Sequence, residues 1–120
     1  MLKPIPSRIL KSEATVKVCS GVDRFQNPTY TEYTVKKVHI QPTNEVRKTV
    51  DNTNVNLRSI LFVDAHTSTP FLDWYALLQT AHNHSGDMKV IVRGDEYTVV
   101  GVDALRDDTD NLHHWEVSLV

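Results

Sequence analysis

The sequence is poor in cysteine and glycine. Its 120 residues include one cysteine, Cys19, and four glycines. A single cysteine excludes an intrachain disulfide framework and a four-cysteine zinc site. Glycine-rich phosphate-binding loops are absent from the sequence, and so is the Gly-x-Ser-x-Gly motif of serine hydrolases. The composition therefore argues against a secreted, disulfide-bridged scaffold and against two large classes of enzyme.

Long apolar runs and a strong charge of one sign are also missing. The longest apolar run lies around residues 60–63, far short of the roughly 18–20 residues that cross a bilayer. Two prolines stand where a signal peptide would have its apolar region. With 13 basic and 15 acidic residues, the formal net charge is −2. No general attraction to nucleic acid or to a membrane follows, so any DNA contact must be local.

The length and the first residues predict how the chain is organised. We expect one domain, residues 1–120, because chains of roughly 100–200 residues usually fold around a single core. Pro4 and Pro6 favour an extended N-terminal arm over residues 1–12, since proline fixes its own φ and disfavours helix in the residue before it. Such an arm packs either on its own domain or on a neighbour.

The amino-terminal half alternates between polar and apolar residues as a β-hairpin does. Residues 15–19 place Val16 and Val18 on one face. Turn-forming residues 21–28 then lead into a second alternating stretch over residues 29–41. We therefore predict two strands joined by a turn.

The second of these strands contains a change of parity. Tyr33 and Val35 are apolar at odd positions, whereas Val38 and Ile40 continue the series at even positions. One extra residue would return both sets to the same face, so we predict a β-bulge near residues 36–37. A bulge bends its strand, which suits a small barrel.

Further strands are predicted in the second half. Residues 59–65 form a continuous apolar run, typical of a strand buried on both faces. Residues 88–93 and 96–102 flank the dipeptide Gly94-Asp95, which predicts a hairpin with a type II′ turn. Residues 112–120 alternate again, and their apolar face consists of Trp115, Val117 and Leu119.

One amphipathic helix is predicted over residues 70–82. Ser68 or Thr69 can cap it, and Pro70 suits its first turn. Its apolar face consists of Phe71, Trp74, Leu78 and Ala81. About six strands and one helix, without repeated strand-helix-strand units, predict a mainly β fold. We expect a small antiparallel β-barrel or sandwich with a long polar loop.

That long polar loop covers residues 42–58, which lack a clear period. They predict a long loop or irregular hairpin, or else a poorly patterned edge strand. Loops of this length in compact domains are usually functional or mobile. In a single copy, Arg47, Lys48 and Arg58 form an ordinary solvated surface. In a ring, symmetry repeats each charge around an axis, which makes this an expected pore-facing or DNA-facing loop.

Candidate chemistry is limited to histidines and acidic residues. The best metal cluster would combine Asp64, His66, His82, His84 and Asp87. Its spacing matches no common zinc motif, and a histidine at a helix end also interacts with the terminal carbonyls. His113 and His114 are neighbours in a strand, so we expect one packed and one solvated ring. We therefore predict no catalytic residue, no metal and no cofactor.

Cys19 and the acidic run near the carboxyl end have simpler interpretations. No activating partner lies near Cys19 in the sequence, so we expect a small side chain at an interface or on the sheet surface. Asp107, Asp108 and Asp110 lack the glycine and the terminal glutamate of an EF-hand. A solvated turn is the favoured interpretation.

Both ends of the chain resemble a known family. Residues 88–105 read Met-Lys-Val-Ile-Val-Arg-Gly-Asp-Glu-Tyr-Thr-Val-Val-Gly-Val-Asp-Ala-Leu, and residues 112–120 read Leu-His-His-Trp-Glu-Val-Ser-Leu-Val. Near the start stand Leu-Lys-Pro-Ile-Pro, Thr-Val-Lys-Val-Cys and Asn-Pro-Thr-Tyr. Together these segments resemble minor capsid proteins of tailed phages and prophages of Gram-positive bacteria. Residues 42–58 and the helix contribute least to the likeness.

Proteins of that family are similar to the small stoppers and adaptors that complete phage heads after DNA packaging. The resemblance implies a non-catalytic structural protein, made in the host cytoplasm and placed in the virion at the head-to-tail junction. It also implies a homo-oligomeric ring whose partners are the portal or adaptor protein, tail proteins and, locally, packaged DNA. No functional residue carries over, because the matching residues are framework positions. A metal-dependent enzyme using the histidine and aspartate cluster and a monomeric bacterial β-barrel binding module remain alternatives.

Overall fold

The structure is a computed structural model that describes residues 11–48, 54–84 and 86–120. Residues 1–10, most of the predicted arm, lie outside the described residues. In chain order the elements are β1 Ser12–Val22, β2 Pro28–Pro42, β3 Val46–Lys48, β4 Asn54–Asn56, β5 Ser59–Asp64, α1 Trp74–Asn83, β6 Met88–Val92, β7 Asp95–Arg106 and β8 Leu112–Leu119.

Six of the strands close into an antiparallel barrel. Their order around the barrel is β1, β2, β5, β8, β7 and β6, and β6 pairs back onto β1. Strands β3 and β4 form a separate two-stranded sheet. The predicted mainly β, barrel-like fold with one helix is therefore confirmed.

The core fills the inside of the barrel with β-branched and aliphatic side chains. Val16 and Val18 of β1 are buried together, as the alternation predicts. β5 is buried along almost all of its length, and Phe62 is its one partly buried residue. The apolar face predicted for β8 is also buried, and its members are Trp115, Val117 and Leu119. Helix α1 packs on the barrel through Trp74, Leu78 and Ala81.

A β-bulge in β2 sets the register of the barrel. β1 pairs Glu13 with Lys36 and Ser12 with Val38, so Lys37 is the extra residue. Lys37 has a φ of 61°, in the left-handed region. Val35 and Val38 are consequently both fully buried, although three positions separate them. The bulge predicted from the change of parity is confirmed.

The helix begins later than the sequence predicts. Asp73, rather than Ser68 or Thr69, is the N-cap, and its carboxylate accepts a hydrogen bond from the N–H of Ala76 at 3.1 Å. Phe71 therefore precedes the helix and is exposed, so its placement on the buried face was wrong. Pro70 lies outside the helix as well.

The two residues predicted as caps are bound to β2 instead. The hydroxyl of Ser68 donates to the carbonyl of Lys37 and accepts from the N–H of Asp64. The backbone of Thr69 exchanges two hydrogen bonds with Lys36, at 2.6 and 3.1 Å. The Ser68 hydroxyl and the Thr69 backbone are therefore both engaged by β2 and β5 residues, and neither residue caps the helix.

The turn between β6 and β7 also differs from the prediction. Asp95 pairs with Val92, so the two loop residues are Arg93 and Gly94. Both have positive φ, 54° and 82°, which defines a type I′ turn rather than the predicted type II′. The hairpin was predicted correctly, but its loop lies one residue earlier, because Asp95 belongs to the ladder.

Cys19 is fully buried, so its predicted position at an interface or on the sheet surface was wrong. The segment between α1 and β6 covers it: the N–H of Cys19 donates to the carbonyl of Asp87 at 3.1 Å. Gly86 lies so close that a Cβ there would overlap both Sγ and Cβ of Cys19. The absence of a side chain at Gly86 is therefore a packing requirement.

The acidic run is a compact turn between β7 and β8. The Asp107 carboxylate accepts hydrogen bonds from the N–H groups of Thr109 and Asn111 and from the Thr109 hydroxyl, at 2.7–3.1 Å. The hydroxyl bond is the largest cause of the lowered pKa of Asp107, and the two backbone bonds add to it. The residue thus closes a solvent-exposed turn.

We predict that Gly86→Ala destabilises the fold by about 1–3 kcal/mol, because the new methyl group overlaps Cys19. Urea denaturation followed by tryptophan fluorescence measures the change. Gly101→Ala is the matched control, since the nearest atom to a Cβ there is 3.9 Å away. Equal stability of Gly86→Ala and the natural chain would contradict the packing described.

A second prediction concerns the exposed turn. Thr109→Val removes the hydroxyl donor and should raise the pKa of Asp107 towards its ordinary value. Because the pKa is lowered in the folded state, the carboxylate stabilises the fold at pH values above its ordinary pKa. This stabilisation is lost as the pH falls through the lowered value. NMR titration of the Asp107 carboxyl carbon measures it. Thr98→Val, outside the turn, should leave the titration unchanged.

Candidate functional site

The segment predicted as a long loop or hairpin forms a narrow ribbon beyond the end of β2. At its base the N–H of Thr43 donates to the carbonyl of Arg58 at 3.1 Å, and the N–H of Leu57 donates to the carbonyl of Glu45 at 2.8 Å. β3 and β4 then continue the pairing, with Val46 opposite Asn56. We call these residues, 43–48 and 54–58, the basic ribbon; residues 49–53 lie outside the described residues.

The three predicted site residues lie along this ribbon and not at one point. Arg58 is at the base, Arg47 pairs with Val55, and Lys48 pairs with Asn54. A strand rises about 3.3 Å per residue, so Arg47 lies about 10 Å from the base. The structure therefore places the three basic residues in a row that leads away from the barrel.

Arg58 is held over the end of the barrel by an aromatic ring. Its guanidinium carbon lies 4.5 Å from the centroid of Tyr97, a cation–π geometry. Its backbone N–H donates to the carbonyl of Leu119 at 2.8 Å, which ties the base of the ribbon to β8. Within the described ranges no ion pair joins Arg58 to an acidic side chain. Its charge is therefore oriented and remains exposed.

An open groove runs across this end of the barrel. One cavity of about 470 Å³ is lined by Pro42, Thr43, Asn44, Leu57, Arg58, Ser59 and Tyr97. A neighbouring cavity of about 200 Å³ shares Pro42, Ser59 and Tyr97 with it and reaches Arg93 and Asp95. Sequence reasoning missed Tyr97 and Arg93 because they come from the β6–β7 hairpin, which comes beside residue 58 only through the pairing of β5 and β7 with β8.

The predicted histidine and aspartate cluster does not assemble. The buried Asp64 carboxylate accepts hydrogen bonds from the N–H groups of His66 and Thr67, each at 2.8 Å, and so closes a turn. The His84 ring meets the carbonyl of Thr80 at 2.8 Å at the end of α1. Over the ranges that the structure describes, no three potential ligands form a group able to hold a metal.

His113 and His114 are in contact, so the prediction of one packed and one solvated ring was wrong. Their Nδ1 atoms are 2.7 Å apart, and both residues are partly buried. Nε2 of His114 also lies 3.0 Å from a carboxylate oxygen of Glu116. Two strand neighbours start on opposite faces, but the imidazoles extend far enough past Cβ to meet. The contact needs an N–H on one ring and a lone pair on the other.

The described residues contain one α-helix, α1. In the described part of the chain, no helix combines the length and the apolar character that crossing a bilayer demands. α1 has ten residues and is the element that covers one side of the barrel.

Comparison with known protein families gives a match over most of the chain. The family described as "Minor capsid protein" matches residues 6–119, which is nearly the whole sequence. No curated protein and no solved structure matches the chain. The match spans all the barrel strands, the helix and the basic ribbon together. This chain therefore belongs to the minor capsid protein family and has a structural role in a phage virion.

Proposed function

We propose that the chain is a head-completion protein of the stopper or adaptor type, which forms a ring at the head-to-tail junction of a tailed phage. It acts there as a structural part without catalysis. Membership of the minor capsid family supports a place in the virion. The observation that carries the finer proposal is the basic ribbon, a row of Arg47, Lys48 and Arg58 that leaves one end of the barrel.

A ring gives this row an effect that one copy lacks. The net charge of −2 provides no general attraction to DNA. Cyclic symmetry nevertheless repeats each ribbon around a common axis, so three cations per copy become a belt of positive charge. Packaged DNA carries one negative charge per roughly 1.7 Å of axis, so a belt in the channel would hold it electrostatically. The Arg58–Tyr97 contact directs one of these cations at little cost in side-chain entropy.

The shape of the molecule supports contacts with two different neighbours. β2 has 15 residues, and the basic ribbon follows one of its ends. The turn of the β1–β2 hairpin lies at the other end, where Phe25 is 70% exposed beneath the Arg24 guanidinium. We infer that one end meets the portal or adaptor protein and the other meets tail proteins. By the resemblance in sequence, the host is a Gram-positive bacterium.

We predict that Arg47→Ala combined with Lys48→Ala leaves the fold intact and lowers the number of DNA-filled particles about tenfold, because each copy in the ring loses two phosphate contacts. Nuclease-protected DNA per particle measures the effect. Lys36→Ala with Arg106→Ala is the matched control, since it removes the same charge from exposed side chains of barrel strands outside the ribbon. Normal DNA retention in the ribbon variant would remove the ribbon from this role.

A second prediction concerns location. Quantitative mass spectrometry of purified particles should find this chain in the same low copy number range as the portal protein, and far below the major capsid protein. A ring at one vertex requires such a ratio. A copy number near that of the major capsid protein would contradict a place at the junction. Absence from particles would refute the proposed function and favour the monomeric binding module.

A further inference from the structure

Half of β2 has an edge without a partner strand among the described residues. One edge of β2 pairs with β1 from Pro28 to Val38. On the other edge, β5 pairs with β2 only from Val38 to Pro42. Residues 29–35 therefore form a margin of the sheet that has β1 on one side and is open on the other. We call this side the open edge.

The direction of the backbone groups on the open edge follows from a contact next to it. The N–H and the carbonyl of Lys36 both bond to Thr69, so both point away from β1. Backbone groups in a strand alternate in direction, and the β1–β2 register is regular from Tyr30 to Lys36. The N–H and carbonyl groups of Tyr30, Glu32 and Thr34 therefore also point to the open edge.

The bridge from Lys36 to Thr69 shows that this edge can pair with another segment. The bridge is antiparallel, and it is the first rung that a strand on this edge would form. The chain leaves after one rung, and α1 begins at Trp74. Beyond this rung, β2 has three more residues whose backbone groups point to the open edge. These are Thr34, Glu32 and Tyr30, and they offer three N–H donors and three carbonyl acceptors.

The open edge has one charged residue, Glu32, as its protection. Natural sheets guard exposed edges with lysine, proline or bulges. Residues 29–35 contain no proline and no lysine, and they read Thr-Tyr-Thr-Glu-Tyr-Thr-Val. The turn beside them is held in one shape, because the Asp23 carboxylate accepts hydrogen bonds from the N–H groups of Phe25 and Asn27. A preformed edge pays little ordering cost on binding.

The charged side chains next to the open edge favour a basic partner strand. Lys89 pairs with Glu96 at 3.4 Å, and Lys17 pairs with Glu32 at 3.7 Å. Lys17 and Lys89 lie opposite each other in the β1–β6 ladder, so these charges form a row across the sheet. Glu32 ends the row on the open edge, with a side chain that is 62% exposed. A cation directly opposite Glu32 on the next strand would give this exposed carboxylate a second cross-strand ion-pair partner.

The same residue opposes pairing with a second copy. When a twofold axis relates two open edges, only one register pairs all three N–H groups and all three carbonyls of each copy. That register sets Tyr30 opposite Thr34 and Glu32 opposite Glu32 of the second copy. Like charges directly opposite each other are destabilising in a sheet. Glu32 therefore acts against a twofold edge-to-edge pairing of two copies and in favour of a basic partner strand.

We propose that the open edge is a strand-addition site for an extended segment of another virion protein, which places lysine or arginine opposite Glu32. The location of this contact in the particle rests on the proposed function. The edge itself rests on the β1–β2 and β2–β5 registers. Binding by strand addition gains main-chain hydrogen bonds from the edge and specificity from the side chain opposite Glu32.

Hydrogen exchange compares the purified chain with the assembled particle. We expect the amides of Tyr30, Glu32 and Thr34 to exchange at least about tenfold more slowly in the particle, with the bonded amide of Lys36 as internal reference. Equal rates in a particle that contains the chain would overturn the edge proposal alone. Absence of the chain from particles would overturn the proposed function as well. Slow exchange in the concentrated pure chain would assign the edge to a second copy and also overturn the proposal.

Two variants test the donors and the charge separately. Thr34→Pro removes an N–H that points to the open edge and leaves the β1 side of the ladder intact, so incorporation into particles should fall about tenfold. Thr34→Val keeps the donor and should incorporate normally. Glu32→Lys should also lower incorporation, whereas Glu32→Gln should lower it less. Should one of these two variants be unstable, the other still decides. Normal incorporation of the folded variant, Thr34→Pro or Glu32→Lys, would refute the site.

Discussion

The structure depends on β2, which pairs with two different strands and must turn its apolar side chains towards the core beside both of them. β2 pairs with β1 from Pro28 to Val38 and with β5 from Val38 to Pro42, and its bulge lies beside the point where the neighbour changes. A strand of 15 residues with an unbroken period of two would turn either Val35 or Val38 outwards. The extra residue Lys37 prevents this, so both valines enter the core and the barrel can close.

The features that carry the functional proposals all follow from β2. Its last residues lead into the basic ribbon, and its first residues form the projecting hairpin with the open edge. The bulge also receives Ser68 and Thr69, which delays the start of the helix until Asp73. A chain built in this way has a closed barrel at its centre and two extensions at opposite ends of one strand. Such a shape suits a part that joins different components of a virion.

Sequence patterns succeeded where a side chain's burial depends on its own strand. Four features were predicted correctly: the buried β1 valines, the β2 bulge, the buried β5 and the inner face of β8. Each depends on burial, which gives the strand's own sequence a recognisable apolar pattern. Sequence patterns failed where a distant segment competes for a backbone group or covers a surface. Thr69 is taken by Lys36, and Cys19 is covered by Gly86 and Asp87. Neither contact leaves a local signal.

For the candidate site, the sequence by itself determined which residues are basic and that they fall in an unpatterned segment, since composition and periodicity are local properties. It also determined the family, through segments at both ends. Only the tertiary structure decided that Arg58 lies over Tyr97 and that one side of residues 29–35 remains open. Both depend on which strands meet when the barrel closes, and strand order is a property of long-range pairing that no local pattern contains.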